Sequence, residues 1–161
     1  MSTTFQATAI GTIETSNGAY SIQVAPEYRP GLTELSGFGH IHVLFWCDKL
    51  DSPEYRAFVS CPKPYRKAPE TVGVFATRSP ARPNPIALTI CQVTAIDPDE
   101  GTVHVAYIDA DHGSPLLDIK PYHPGIDRVR DPQVPQWCAH WPAWYEDVAA
   151  FDWAAEFVHA Q

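Results

Sequence analysis

Residues 73–96 read GVFATRSPARPNPIALTICQVTAI, a polar loop followed by a long strand pattern. The second part, residues 86–96, alternates and is rich in β-branched side chains, which is typical of a strand in a half-buried sheet. Proline fixes φ and donates no backbone hydrogen bond, so the first part predicts a stiff loop whose backbone finds few partners of its own. The prolines are Pro80, Pro83 and Pro85.

This loop also contains Arg78, Arg82 and Asn84. Two arginines held on a stiff backbone suit the binding of a planar or anionic group, because the guanidinium presents a fixed fork of donors. The alternative is an ordinary proline-rich surface turn with solvated arginines and no binding role.

Working outward from this stretch, two hairpins are predicted. The strand at 86–96 returns at 102–109 through the turn at 97–101, and the segments 5–14 and 19–25 flank Ser16-Asn17-Gly18. The remaining strand patterns cover residues 40–47, 71–77 and 115–119, with a possible short strand at 57–61.

His40–Cys47 has bulky apolar groups on both faces and is therefore predicted to be a central strand. The same alternation places His40 and His42 on one face. Many short strands and one late helix indicate a mostly β fold, a small closed antiparallel β-barrel with a C-terminal α-helix. The absence of G-x-G-x-x-G after a first strand argues against a Rossmann domain.

The C-terminal segment differs from the rest of the chain. We predict a barrel domain over residues 1–130 and a Trp-rich acidic tail over residues 131–161. From Pro142 onward, apolar residues follow the 4-3-4-3 spacing of an amphipathic helix. We expect this helix to pack on the barrel or across a dimer interface.

Charge is unevenly distributed along the chain. The net charge of −8 argues against broad, non-specific binding of nucleic acid. Residues 52–82, however, contain six basic and two acidic side chains, whereas residues 131–161 contain five acidic side chains and no Lys or Arg. The basic stretch is either a solvated charge cluster or an anion-binding face beside the proline-rich loop.

Residues 1–11, MSTTFQATAIG, lack the pattern of a signal peptide, and no apolar run reaches the length of a membrane span. We therefore expect a cytoplasmic protein without membrane contact. The four cysteines form no C-x-x-C pair and the histidines no H-x-x-x-H pair, so no metal site is predicted.

A second dense stretch, residues 108–127, reads IDADHGSPLLDIKPYHPGID. If this segment is extended, Asp118, Lys120 and Tyr122 lie on one face. The Asp–Lys pair is either a solvated ion pair or a device that orients a substrate group or takes a proton.

Taken together, GVFATRSPARPNPIAL and the later D-x-x-x-G-S-P-x-x-D-I-K-P-Y resemble the TrmO/TsaA family. Two further matches are Ala9–Ile13, similar to the opening strand of that family, and Gly37–Phe45, similar to its F-S-H-x-x-x-L-F segment. The resemblance covers about residues 7–125. It implies an S-adenosylmethionine-dependent methyltransferase on a small β-barrel, acting on the exocyclic amine of threonylcarbamoyladenosine in tRNA.

The resemblance also implies a set of site residues. For the cofactor S-adenosylmethionine they are Arg78, Leu88, Ala106, Tyr107, Ile108, Asp109, Asp48 and Lys49. Arg82 and Asn84 are predicted to bind the acceptor, and Asp118, Lys120 and Tyr122 are the predicted catalytic residues that orient it. Methyl transfer to an amine is an in-line displacement that depends mainly on alignment and desolvation, so a strong base is not required.

The chain departs from the family pattern at four places. The turn Asp109–Pro115 differs from the usual D-L-x-D-G-T-P, and the Trp-rich acidic tail stands in place of the larger C-terminal domain of some bacterial members. Asp48 stands where the family has a histidine, and Glu14 passes almost directly into the turn at 16–18, without a loop that helps to cover the cofactor. Methylation of a small molecule or other non-tRNA acceptor therefore stays open beside tRNA, as does a non-catalytic S-adenosylmethionine-binding module. The resemblance further implies a homodimer.

Overall fold

Six antiparallel strands close into a barrel in this chain. The structure is a computed structural model that describes residues 3–158. The strands are β1 (Gly11–Ser16), β2 (Ala19–Val24), β3 (His40–Trp46), β4 (Ser60–Pro62), β5 (Thr71–Gly73), β6 (Ile86–Asp97), β7 (Thr102–Val105) and β8 (Pro115–Pro121). The barrel order is β1-β2-β7-β6-β3-β8, while β4 and β5 form a separate two-stranded sheet. The predicted mostly β fold with a closed barrel is confirmed.

Both predicted hairpins are present. β1 pairs with β2 in continuous register from Gly11↔Val24 to Ser16↔Ala19, and β6 pairs with β7 across the turn at 97–101. Positive φ at Asn17 (50°) and Gly18 (76°) gives the first hairpin a turn whose twist matches its strands.

β3 is the central strand that its sequence predicts. It pairs with β6 on one side and with β8 on the other. Ile41, Val43 and Phe45 point into the barrel and are almost fully buried. Each such side chain contributes about 1.5–3 kcal/mol of burial. His40 and His42 share the opposite, outer face, as predicted from the alternation.

Three predicted strands are shorter in the structure. The strand expected over 102–109 ends at Val105. Residues 5–10 lie outside the strand that begins at Gly11, and the strand expected over 71–77 ends at Gly73, because a 3-10 turn occupies Val74–Ala76. The short strand expected at 57–61 forms instead at Ser60–Pro62.

The remaining elements are short. Three four-residue helices are α1 (Pro53–Arg56), α2 (Pro124–Asp127) and α3 (Trp153–Glu156). The 3-10 turns cover Pro26–Leu32, Leu35–Gly37, Asp48–Leu50, Val74–Ala76, Gln136–Cys138 and Tyr145–Ala150. Within the described part of the chain, no helix has the length and apolar character needed to cross a bilayer.

The continuous C-terminal helix expected after Pro142 is wrong: a 3-10 turn and α3 replace it. Phe151 (ψ 135°) interrupts the helical path, and the Asp152 side chain accepts a 3.0 Å hydrogen bond from the Ala155 N–H. A short polar side chain that caps a new helix ends the preceding one, so the apolar spacing alone overestimates helix length.

The tail packs on residues 60–73, which we call the β4–β5 segment, through aromatic rings. Tyr65 is buried and stacks on Trp137 with 5.5 Å between ring centroids and 11° between planes, while Trp141 meets it edge-on at 4.8 Å. The Arg66 N–H also donates to the backbone oxygen of Glu156 at 2.9 Å. These contacts form a second, smaller core beside the barrel.

Candidate functional site

The carboxyl end of β3 meets the loop after β7 at one end of the barrel. Lys49 Nζ lies 2.9 Å from Asp111 Oδ1, and both side chains are exposed. Burial raises the pKa of the Cys47 thiol, and the negative charges of Asp111, Asp48 and Asp109 raise it further. Asp48 and Asp109, two of the residues predicted to bind the cofactor, therefore lie near the Cys47 thiol, and Lys49, a third, lies beside Asp111. We call Asp48, Lys49, Asp109 and Asp111 together the acidic end.

Along the segment 106–109, which leads to the acidic end, only Ile108 is buried. The Ala106 N–H is fixed by a 2.9 Å hydrogen bond to a carbonyl of β6. Tyr107 is 55% exposed and lies edge-on to Tyr20 at 5.2 Å. Ile108 is 2% exposed in the barrel core, so this residue offers a ligand only its backbone.

The proline-rich loop is held by Arg82. Its Nε donates to the Ser79 carbonyl at 2.7 Å, and its Nη2 donates to the carbonyls of Thr77 at 2.8 Å and Val74 at 3.2 Å. Prolines deprive this loop of backbone donors, and the guanidinium supplies them instead. Among residues 3–158, no partner of Arg82 Nη1 is found, which leaves that group for the predicted contact with the acceptor.

Arg78 and Leu88 are brought together. Arg78 Nη2 donates to the Leu88 carbonyl oxygen. Leu88 opposes Leu44 of β3, which in turn opposes Asp118 of β8. Since neighbouring strands lie about 4.8 Å apart, Leu88 and Asp118 are about 10 Å apart on the outer face of the barrel.

Asp118 and Lys120 share one face of β8, as predicted. Lys120 Nζ lies 2.7 Å from Asp118 Oδ2, and this hydrogen bond raises the pKa of Lys120. Both side chains are exposed enough for solvent to screen the pair. Tyr122 follows on the same side of the strand and packs against His42, with 5.7 Å between ring centroids.

The predicted catalytic residues are separated from the acidic end within one chain. Asp118 opposes Leu44, four residues before Asp48, which corresponds to about 13 Å of strand. The Tyr122 N–H donates to the carbonyl of His40, eight residues before Asp48, or about 26 Å. Asp118 is therefore the member of the trio nearest to the predicted cofactor residues, and Tyr122 the farthest.

Asp118 also lines a groove of about 430 Å³ on the outer side of the barrel. The opposite wall is the segment of 3-10 turns between β2 and β3, including Tyr28 and Phe38. Asn84, the second predicted acceptor residue, is exposed and its carbonyl accepts a 2.7 Å hydrogen bond from the Ile86 N–H.

Two residues near these groups were not found from the sequence. Tyr65 is buried, which raises the pKa of its hydroxyl, while the Arg78 backbone N–H acts in the opposite direction. Asp127 Oδ1 lies 3.2 Å from His42 Nε2, and the His123 backbone N–H, followed by His42, lowers the pKa of Asp127. The contacts of Tyr65 with Arg78 and of His42 with Asp127 join residues far apart in sequence and leave no local pattern, whereas the hydrogen bond from His123 to Asp127 spans only four residues.

Within residues 3–158, no group of three His, Cys, Asp or Glu side chains is arranged to hold a metal ion. The four cysteines are free thiols.

Comparison with known proteins gives consistent results. The family model described as the tRNA-methyltransferase O N-terminal domain matches residues 5–128. An S-adenosyl-L-methionine-binding protein of Archaeoglobus fulgidus is 40% identical over 114 residues, covering 71% of this chain and 76% of that one. A probable S-adenosyl-L-methionine-binding protein of Methanothermobacter thermautotrophicus is 42% identical over 108 residues, covering 67% of this chain and 72% of that one.

A longer relative is the tRNA (adenine(37)-N6)-methyltransferase of Rattus norvegicus, 41% identical over 97 residues. The match covers 60% of this chain and 21% of the rat protein. A crystal structure of TrmO superposes with a TM-score of 0.64 at 24% identity, covering 82% of this chain and 64% of that one, which shows the same fold. Residues 129–158 lie beyond the family-matched region.

Proposed function

The chain belongs to the family of the tRNA-methyltransferase O N-terminal domain, and from that premise we propose that it transfers a methyl group from S-adenosylmethionine to an adenosine amine of tRNA. The threonylcarbamoyladenosine beside the anticodon is the proposed acceptor. The observation that supports this most directly is the convergence of Asp48, Lys49 and Asp109 at the acidic end, inside the family-matched residues.

The acidic end fits the proposed cofactor by charge. S-adenosylmethionine supplies, when bound, a methyl group on a positively charged sulfur. The carboxylates of Asp48, Asp109 and Asp111 favour a cation in this position. Lys49 suits the cofactor carboxylate, and the exposed ring of Tyr107 suits a flat base or the sulfonium.

The outer face of β8 fits the acceptor. Asp118 accepts a hydrogen bond from the amine, and its carboxylate or water receives the proton that leaves once the new C–N bond forms. Lys120 holds this carboxylate in place and keeps it ionised. Asn84 and the remaining Nη1 group of Arg82 bind polar groups of the acceptor. Alignment of the amine, rather than a strong base, is the main contribution of these residues.

We also propose that the protein is a homodimer. Three exposed apolar side chains lie on the Arg78 loop and the adjoining start of β6: Phe75 (85%) in the 3-10 turn before Arg78, and Ile86 (43%) and Leu88 (44%) on one face of β6. We call these three side chains the apolar cluster. A second chain would cover this surface, and could bring its own residues to the gap between Asp118 and the acidic end. We place this dimer in the cytoplasm, where tRNA is found and where the four free thiols would stay reduced.

A second candidate function is binding of S-adenosylmethionine with a different acceptor, or with none. The archaeal relatives that match most of their own length have names that describe binding alone. The acidic net charge of −8 and the acidic tail favour a small-molecule acceptor over RNA.

The deciding experiment combines calorimetry with nucleoside analysis. Purified protein is titrated with S-adenosylmethionine, then incubated with this cofactor and tRNA that contains threonylcarbamoyladenosine, and the nucleosides are analysed by mass spectrometry. We expect binding and a new adenosine species 14 mass units heavier, with Arg78→Ala as the inactive control. Binding without a new nucleoside would favour the second candidate, and no binding would contradict both.

A further inference from the structure

A groove of about 690 Å³ lies between the tail and the segment that follows Tyr65. Its walls include Lys67 and Pro69 on one side and Gln136, Trp137 and His140 on the other. The groove has no counterpart in the family-matched region alone, because one wall comes from residues beyond 128.

Trp137 is a rigid wall of this groove. One face of its indole stacks on the buried ring of Tyr65 with an interplanar angle of 11°, and Trp141 meets its edge at 5.5 Å. Trp141 is fixed in turn, since its Nε1–H donates to Glu156 Oε1 at 3.1 Å. Glu156 is 5% exposed and also contacts His140 Nε2 at 3.0 Å. A half-buried indole held this firmly loses little freedom when a second flat ring stacks on it.

The tail has no Lys or Arg, so the basic side chains near the groove belong to the β4–β5 segment. Lys67 lines the groove, Arg66 is its neighbour, and both are exposed. No ion pair of either side chain is found among residues 3–158, whereas Lys63 pairs with Glu70 and Arg56 with Asp51. Lys67 therefore brings a positive charge without an ion pair to the groove that Trp137 lines, and Arg66 directly precedes it in the chain. The acid that Lys67 acts on is the buried Glu156, whose pKa it lowers.

We propose that this groove binds a base of single-stranded RNA, stacked on Trp137, with its phosphates beside Lys67 and Arg66. Stacking on a fixed aromatic ring together with nearby cations is how proteins hold unpaired nucleotides. Identifying the RNA as tRNA rests on the proposed function. Tyr65 joins the groove to the Arg78 loop, because its ring supports Trp137 and its hydroxyl lies near the Arg78 backbone. A base in the groove flanks the acceptor rather than being the acceptor.

The test measures affinity for a labelled anticodon stem-loop RNA by fluorescence anisotropy. Trp137→Leu is expected to weaken binding about 5- to 100-fold, and Trp137→Phe, which keeps a ring, to remain near wild type. Lys67→Gln is expected to weaken binding and to reduce the slope of log affinity against log salt by about 0.7–1. The matched controls are Trp144→Leu and Lys63→Gln, whose side chains are exposed or paired and do not line the groove.

Calorimetry with S-adenosylmethionine separates this proposal from the proposed function. Weaker RNA binding with unchanged cofactor affinity supports the groove. RNA affinity unchanged in Lys67→Gln and Trp137→Leu overturns the groove, even if the wild-type protein methylates tRNA. If the wild-type protein binds RNA through these residues but methylates no tRNA, the groove proposal stands and the proposed function is contradicted. If Trp137→Leu fails to fold, the salt slope of Lys67→Gln decides.

Discussion

Arg82 Nη2 donates a 2.8 Å hydrogen bond to the carbonyl oxygen of Thr77, the residue directly before Arg78. Together with its hydrogen bonds to the carbonyls of Ser79 and Val74, this contact lets Arg82 stabilise the loop that contains Arg78. The two arginines therefore have different tasks, although they occur in one short motif.

Replacing Arg82 should loosen the loop. In Arg82→Ala, the carbonyls of Ser79 and Thr77 lose their donor, while the Val74 carbonyl keeps its hydrogen bonds from Thr77. We expect the free energy of unfolding to fall by about 1–3 kcal/mol. The affinity for S-adenosylmethionine should fall about tenfold, or 1.4 kcal/mol, because Arg78 is no longer held. Urea denaturation and calorimetry measure the two effects. Arg82→Lys keeps the charge without the fork, so recovery of both values in that variant would show that charge, not the hydrogen bonds, matters.

Replacing Arg78 should affect binding rather than folding. Arg78 is exposed and makes a single hydrogen bond to the Leu88 carbonyl. We expect Arg78→Ala to abolish measurable binding of S-adenosylmethionine, while circular dichroism and the denaturation midpoint stay close to wild type. Unchanged cofactor affinity in this variant would show that the site lies elsewhere.

Stability should depend on pH through Glu156. Burial raises the pKa of this carboxyl, but the hydrogen bonds from His140 and Trp141 outweigh it, so the pKa lies below its usual range. A lowered pKa in the folded state stabilises the protein above the unfolded value of about 4.3, and this stability is lost as pH falls further. Glu156→Gln should therefore be less stable than wild type at pH 7, and the difference should narrow below about pH 4.

Tryptophan fluorescence during urea unfolding at both pH values measures this effect. Glu146→Gln serves as the control, because Glu146 is exposed on the same tail. A gap between wild type and Glu156→Gln that stays constant from pH 7 to pH 3 would contradict the role of the ionised carboxylate.

The dimer proposal makes a prediction about mass. Leu88→Asp places a charge in the apolar cluster with Phe75 and Ile86, and we expect it to convert a dimer into a monomer in light scattering. Val129→Asp is a control, since Val129 is 69% exposed and lies outside the Arg78 loop and β6. A monomeric mass for the wild-type protein would contradict the proposal directly.

The sequence predicts those parts of the fold whose cause is local. The bulky apolar groups on both faces of His40–Cys47 predict a central strand, as β3 is, and the turn signal at 16–18 predicts a hairpin. The spacing of Asp118 and Lys120 places them on one face for the same reason. In each case, neighbours within a few residues determine the geometry.

Other features depend on partners far away in the chain. The prolines around Arg82 indicate a loop in need of donors, but not that Arg82 would donate to its carbonyls. The apolar residues of the tail follow a helical spacing, yet Trp141 and Phe157 pack on Tyr65. Asp152 caps a new helix in the middle of this apolar pattern. Tertiary packing outweighs a weak helix propensity here.

Closure of the barrel places the first strand beside the last, with Gly11 opposite Leu116. A side chain at Gly11 would meet the backbone oxygen of Gln23 in β2 at 2.1 Å, so β1 tolerates no larger residue at the position where it pairs with both β2 and β8. During synthesis on the ribosome, β1 and β2 emerge long before β8 is made. β3 likewise emerges before its two partner strands, β6 and β8. The nascent chain therefore exposes open sheet edges until residue 121 has left the ribosome, and the native barrel closes only after that point.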